Sequence, residues 1–329
     1  MALVVNPLAW GFLRMVAGFC FAVLYVVIES WLNERSTNEN RGTIFSIYVM
    51  ISLTVLAAGQ MMTLLYNPEE WQLFALASVL VSLGAIPVAL STSPSPEQPT
   101  AVELNLRRLF RISPAATIGC LATGLANGSF WSLAPVFTAA VSDDTSLAAW
   151  FMTSAVLGGA LSQWPLGFAS DKLGRRKLLL AAAATGVVIA IVITTQFDSL
   201  GFVGTIILSA LWGAIAFPLY AIAVAHANDF AEADDYVMIS SGLLLMYGVG
   251  AILGPFVAPA VMSLVGSRGL YVHTAAIHLL LLAYIALRFR KRMAQPDEEH
   301  RPFVDALAAT QTSRMASGPV KTGFQTTLA

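Results

Sequence analysis

Nine apolar stretches, each close to the ~20 residues that a helix needs to cross a bilayer core, set the terms for this chain. They run over 8–32, 43–66, 72–91, 114–138, 148–170, 178–196, 201–226, 237–263 and 270–287. Within each, the apolar residues are continuous rather than alternating, which excludes barrel strands. Only helices and closed barrels satisfy the backbone in lipid, so helices remain. Composition agrees. Of 329 residues, 57% are hydrophobic and 11% charged, where a soluble domain carries about 25% charged residues. The expected fold is an all-α membrane protein, a multi-pass helical bundle.

The same inventory removes several functions. A net charge of −1 gives no footprint for nucleic acid. Cys20 and Cys120 both sit inside apolar stretches, so neither a disulfide framework nor a cysteine metal site is expected. Apolar surroundings also make either thiol a poor nucleophile. No nucleophile–base set, phosphate-binding loop or ATP-binding element is present, and no histidine has a partner at metal-ligand spacing. The chain is not expected to be an enzyme or to hold a cofactor. The one partner that composition implies is the bilayer.

Orientation follows from Lys and Arg. Alternate breaks between stretches carry Arg35 and Arg41; Arg107, Arg108 and Arg111; Lys172, Arg175, Arg176 and Lys177; then Arg288, Arg290, Lys291 and Arg292. The opposite breaks carry only Arg268. The basic side is expected to be cytoplasmic, and so is the carboxyl end. The remaining break on that side, Ala227–Tyr236, is acidic, but acidic residues contribute little to this rule. The domains expected are a three-span partial half-bundle (1–91), a cytoplasmic linker (92–113), a six-helix half-bundle (114–287) and a disordered cytoplasmic tail (288–329).

Shifting the sequence by 195 residues aligns stretches one to three with seven to nine without a gap. Gly18 then meets Gly213, Tyr25 meets Tyr220, Asn33 meets Asn228 and Glu34 meets Asp229. Such internal repeats are common in transporters. Stretches four to six have no amino-terminal counterpart. The expectation is a twelve-span protein lacking its first three helices, with a native nine-span protein as the alternative.

Asp171-Lys172-Leu173-Gly174-Arg175-Arg176-Lys177, between two apolar stretches, resembles the loop motif of the major facilitator superfamily. Arg14-x-x-x-Gly18 is similar to a helix motif of the same superfamily. Glu29-Ser30-Trp31-Leu32, Asn40-Arg41-Gly42 and Ser46-Ile47-Tyr48 together resemble its YcaD-type bacterial branch. The resemblance covers residues 8 to about 290. It implies a secondary transporter of the bacterial inner membrane that moves a small-molecule substrate by alternating access, with a proton as the coupling ion and efflux among the directions allowed. An inactive or regulatory membrane fragment is the competing reading.

The candidate residues follow from both lines of argument. Arg14, Gly18, Tyr25 and Glu29 recur at helical spacing and share one face. Charge within a span is costly and usually faces a cavity or partner. Arg14 either binds an anionic group or tunes a proton carrier, as the resemblance implies, or snorkels to the interface. Glu29 is either a proton-titrating carboxylate or an interfacial acid beside Trp31. By resemblance, Asp171, Gly174, Arg175 and Arg176 form a cytoplasmic gate with Asp229. Asp171 is expected against residues 42–46 and Arg175 near Asp229. The alternative is a loop that only enforces topology. Tyr25, Asn127, Trp131, Trp212 and Tyr220 line the pathway if the resemblance holds, and otherwise pack or face lipid. Gly124-x-x-x-Gly128 and Gly250-x-x-x-Gly254 are close-packing surfaces.

Overall fold

Continuous apolar sequence with no lateral partner for its backbone becomes helix. The computed structural model describes residues 6–36, 41–67, 70–90, 104–231 and 235–289, and these are helical with no strand among them. In order they form α1 (Pro7–Arg35), α2 (Arg41–Met62), α3 (Gln72–Ala89), α4 (Leu106–Ile112), α5 (Pro114–Val141) and α6 (Leu147–Leu173). After these come α7 (Arg175–Gln196), α8 (Gly201–Ala216), α9 (Pro218–Asn228), α10 (Tyr236–Val265) and α11 (Gly269–Phe289).

Among the described residues, six segments are long and apolar enough to span a membrane, and seven with the bent α4–α5 pair counted as one. That measure does not reach nine. The described apolar part of α2, Ile47–Met62, is too short, and α6, rich in Gly, Ser, Gln and Trp, falls outside it.

Several boundaries differ from those read in the sequence. The break at Asp171–Lys177 narrows to one residue, because α6 continues through Leu173 and α7 starts at Arg175. Gly174 makes the turn at φ +85°, a conformation glycine adopts without steric cost. The stretch 201–226 divides at Phe217 into α8 and α9, where Pro218 cannot donate to the preceding turn. Pro135, Pro165, Pro255 and Pro259 lie inside continuous helices. The linker contains α4, capped by the Asn105 side chain on the Arg108 amide and bent 111° from α5. The tail beyond 289 lies outside the described residues.

The core belongs to α4–α11 and is stacked along α5. Toward one end it is aliphatic, with Leu109, Leu179, Ile222, Ile239 and Ile285 fully buried. Toward the other it is aromatic, where Trp212 stacks on Phe130 at 4.3 Å and Tyr271 meets Phe137 edge-on at 5.1 Å. Glycines let the helices approach. A β-carbon at Gly128 would lie 2.3 Å from the Ala251 carbonyl oxygen, and one at Gly250 would lie 2.2 Å from that of Leu121. The two glycine pairs read from the sequence therefore pack α5 directly on α10. Gly158 and Gly213 do the same for α6 and α8. Of the first three helices, α2 is the one that docks on this core, against α6. The spanning windows of α1 and α3 contain no buried residue.

Candidate functional site

A cavity of about 270 Å³ opens where α2 meets the larger group of helices. Leu53 and Leu56 of α2 form one wall, and Asn127, Trp131, Val156, Gly159 and Gln163 of α5 and α6 form another. Phe217, Tyr220, Leu244 and Tyr247 complete it. Trp131 lies flat against Phe217 (5.4 Å, 4°), and Tyr220 tilts against Tyr247 at 5.0 Å. Asn127 is buried and its Oδ1 has no hydrogen-bond partner, and the Tyr220 hydroxyl is likewise unpartnered.

At the end of the bundle where α6 meets α7, charge is buried. The Arg175 guanidinium, 1% exposed, lies 3.1 Å from the Asp229 carboxylate at the end of α9 and 3.3 Å from Asp171 one turn back. A buried ion pair survives only when its attraction repays the loss of water, and here one cation serves two carboxylates. Gly174 supplies the bend that turns Arg175 inward, while Arg176 is part-buried beside it. The expected approach of Asp171 to residues 42–46 concerns side chains that, apart from Ile44, lie outside the described residues. Arg108 pairs with Asp235 at 2.9 Å, and Arg288 rests over the Phe110 and Tyr284 rings at the same end. The opposite end has its own pair, Arg268 with Asp198 at 2.5 Å.

The charged face of α1 is less engaged. Glu29 is part-buried and accepts a hydrogen bond from the Tyr48 hydroxyl of α2 at 3.3 Å. Arg14 and Tyr25 are exposed, and a side chain at Gly18 would meet nothing within 4 Å. Among the pathway candidates, Asn127, Trp131 and Tyr220 come together on the cavity wall. Trp212 instead fills the aromatic core, 1% exposed, and Tyr25 lies apart from the cavity lining.

A sequence profile of the Major Facilitator Superfamily matches residues 116–322, more than half of the chain. The chain belongs to this superfamily. An uncharacterized MFS-type transporter, YcaD, of Escherichia fergusonii is 25% identical over 300 residues, spanning 90% of this chain and 76% of its own length. A relative from Yersinia enterocolitica is 27% identical over 303 residues, spanning 89% of this chain and 75% of its own. One from Salmonella heidelberg is 26% identical over 278 residues, with 83% and 71% spanned. The resemblance to the YcaD-type branch, read from residues 29–32, 40–42 and 46–48, therefore holds over about 90% of the chain. Bacterial relatives and several apolar helices make this facilitator a multi-pass inner-membrane protein. Membership implies transport of a small molecule whose identity is open.

Sequence reasoning missed part of the facilitator's cavity wall. Gln163 is a primary amide inside an apolar stretch and could have been noticed as such. Tyr247 and Phe217 carry no local signal, since an aromatic in a span is as well suited to lipid or to packing. Phe217 reaches the wall from the break between α8 and α9, and Tyr247 reaches it from α10.

Proposed function

We propose that this facilitator carries a small molecule by alternating access, with the cavity between α2 and the α5–α10 group as its binding chamber. The observation that carries the reading is that cavity's position: its walls come from both groups of helices, so rocking one against the other opens it to one side at a time. Arg175 with Asp171 and Asp229 is the closing device on the cytoplasmic side. Glu29 is the coupling carboxylate. It is part-buried on α1, held by Tyr48 of α2 and within electrostatic reach of Tyr220 on the cavity wall, so a proton on Glu29 changes the link between α1 and α2 beside the chamber. Arg14 and Gly18 lie on the same helical face and belong to the same coupling element.

The test needs no knowledge of the substrate. Cys20 and Cys120 are replaced by serine and a single cysteine is placed at Gln163. A membrane-impermeant thiol reagent should label it from either side of a sealed vesicle. Asp229→Asn, which weakens the closing pair, should raise cytoplasmic labelling several-fold, and Glu29→Gln should remove the pH dependence of the two-sided ratio. Labelling confined to one side in every variant would defeat the proposal.

A further inference from the structure

The chamber's chemistry restricts what it can hold. All of its lining side chains are aliphatic, aromatic, amide or phenol, with no carboxylate, ammonium or guanidinium among them. An ion entering would surrender its hydration without meeting an opposite charge on the wall. The ring faces attract a cation more weakly than its lost water did, so they do not repay that loss in a low-dielectric site. Glu29 is held by Tyr48 and is not part of the lining. The wall also presents two aromatic pairs, Trp131 on Phe217 and Tyr220 against Tyr247. Flat rings of this kind favour a flat apolar solute. Its volume of about 270 Å³ lies near the lower limit of ligand pockets, about 300 Å³, which suits one or two fused rings.

Polarity adds a requirement. Buried polar atoms are nearly always paired. Asn127 is 3% exposed, yet its Oδ1 has no partner among the described residues. An amide oxygen accepts and never donates, so a solute that satisfies it must bring an N–H or O–H. The Tyr220 hydroxyl, also unpartnered, can answer with either role.

We propose that the transported solute is an uncharged, planar, one- or two-ring aromatic or heteroaromatic molecule whose N–H or O–H donates to Asn127. This rests on the transport reading above and adds the substrate class to it.

The experiment measures binding to the full chain in lipid nanodiscs by equilibrium dialysis with four radiolabelled probes. These are 2-quinolone (neutral, with an N–H donor), N-methyl-2-quinolone (donor removed), quinoline-2-carboxylate (an anion) and N-methylquinolinium (a cation). The neutral donor should bind at least about tenfold more tightly than each of the others, since one buried hydrogen bond or an unpaired charge is worth that much. Asn127→Leu should bring 2-quinolone down to the level of its N-methyl analogue and leave the analogue unchanged. If that variant does not fold, the ranking of the four probes on the native chain decides alone. Equal binding of the N-methyl compound, or preference for either ion, would overturn the assignment. If no probe binds while the Gln163 cysteine is still labelled from both sides, the substrate class falls and the transport reading stands. If two-sided labelling fails, the transport reading falls, and the probe ranking still judges the chamber.

Discussion

Arg175 concentrates the physics of this chain into one side chain. Its guanidinium is 1% exposed, against an Asp229 side chain at 2%. Removing one partner of such a pair strands the other charge, which costs about 3–5 kcal/mol, whereas replacing both by apolar residues is often nearly neutral. Arg175→Ala should therefore lower unfolding stability in detergent by several kcal/mol, and Arg175→Leu combined with Asp229→Leu should recover most of it. Chemical denaturation of the native chain and the two variants checks this. Equal losses in the single and double variants would show that Arg175 is held by its other contacts rather than by Asp229. The residue type was legible in the sequence, since four cations beside one carboxylate already marked the turn. Its burial was not. That depends on Gly174 bending the chain by a single residue, so that Arg175 opens α7 facing inward rather than belonging to a solvated loop.

At the scale of the helix, α10 carries its own control. A β-carbon at Gly250 would meet the α5 backbone at 2.2 Å, whereas one at Gly248, half a turn away, would meet nothing within 4 Å. Backbone cannot move aside as a flexible side chain can, so Gly250→Leu must push two helices apart. Overpacking of this kind costs about 1–3 kcal/mol or more, whereas a substitution at an open surface position stays within about 0.5 kcal/mol. Thermal unfolding in detergent should thus separate Gly250→Leu from Gly248→Leu clearly, and identical melting temperatures would refute the close crossing. Spacing made this crossing readable, because Gly124, Gly128, Gly250 and Gly254 recur one helical turn apart. The crossing of α6 and α8 was harder to read, since at that spacing Gly158 and Gly213 have only Ser154, Ser162 and Ser209 rather than a second glycine. Prolines were poor guides for a similar reason. Pro87, Pro135, Pro165, Pro255 and Pro259 lie inside continuous helices, whereas Pro218 coincides with a break, and the choice is made by what packs around each one.

Across the whole molecule, the two ends differ in a way that predicts an orientation in the membrane. Arg108 with Asp235, Arg175 with Asp229, and Arg288 over Phe110 gather at one end. The other end holds Arg268 with Asp198. The fold class and the segregation of basic residues were legible because lipid imposes them residue by residue. The chamber was legible only in part, because its walls are assembled from α2, α5, α6, α9 and α10, and no local pattern reports which faces of those helices meet. Positive residues are retained on the cytoplasmic side, so the Arg175 end should face inward. With both native cysteines replaced, Lys177→Cys and Asp143→Cys put one thiol at an exposed position on each end. In intact spheroplasts a membrane-impermeant maleimide should label the cysteine at 143 and leave the one at 177 untouched until the membrane is opened. The reverse pattern would turn the molecule over. Arg175 and Asp229 would then close the chamber to the outside, and Asp229→Asn would raise labelling at Gln163→Cys from that face instead.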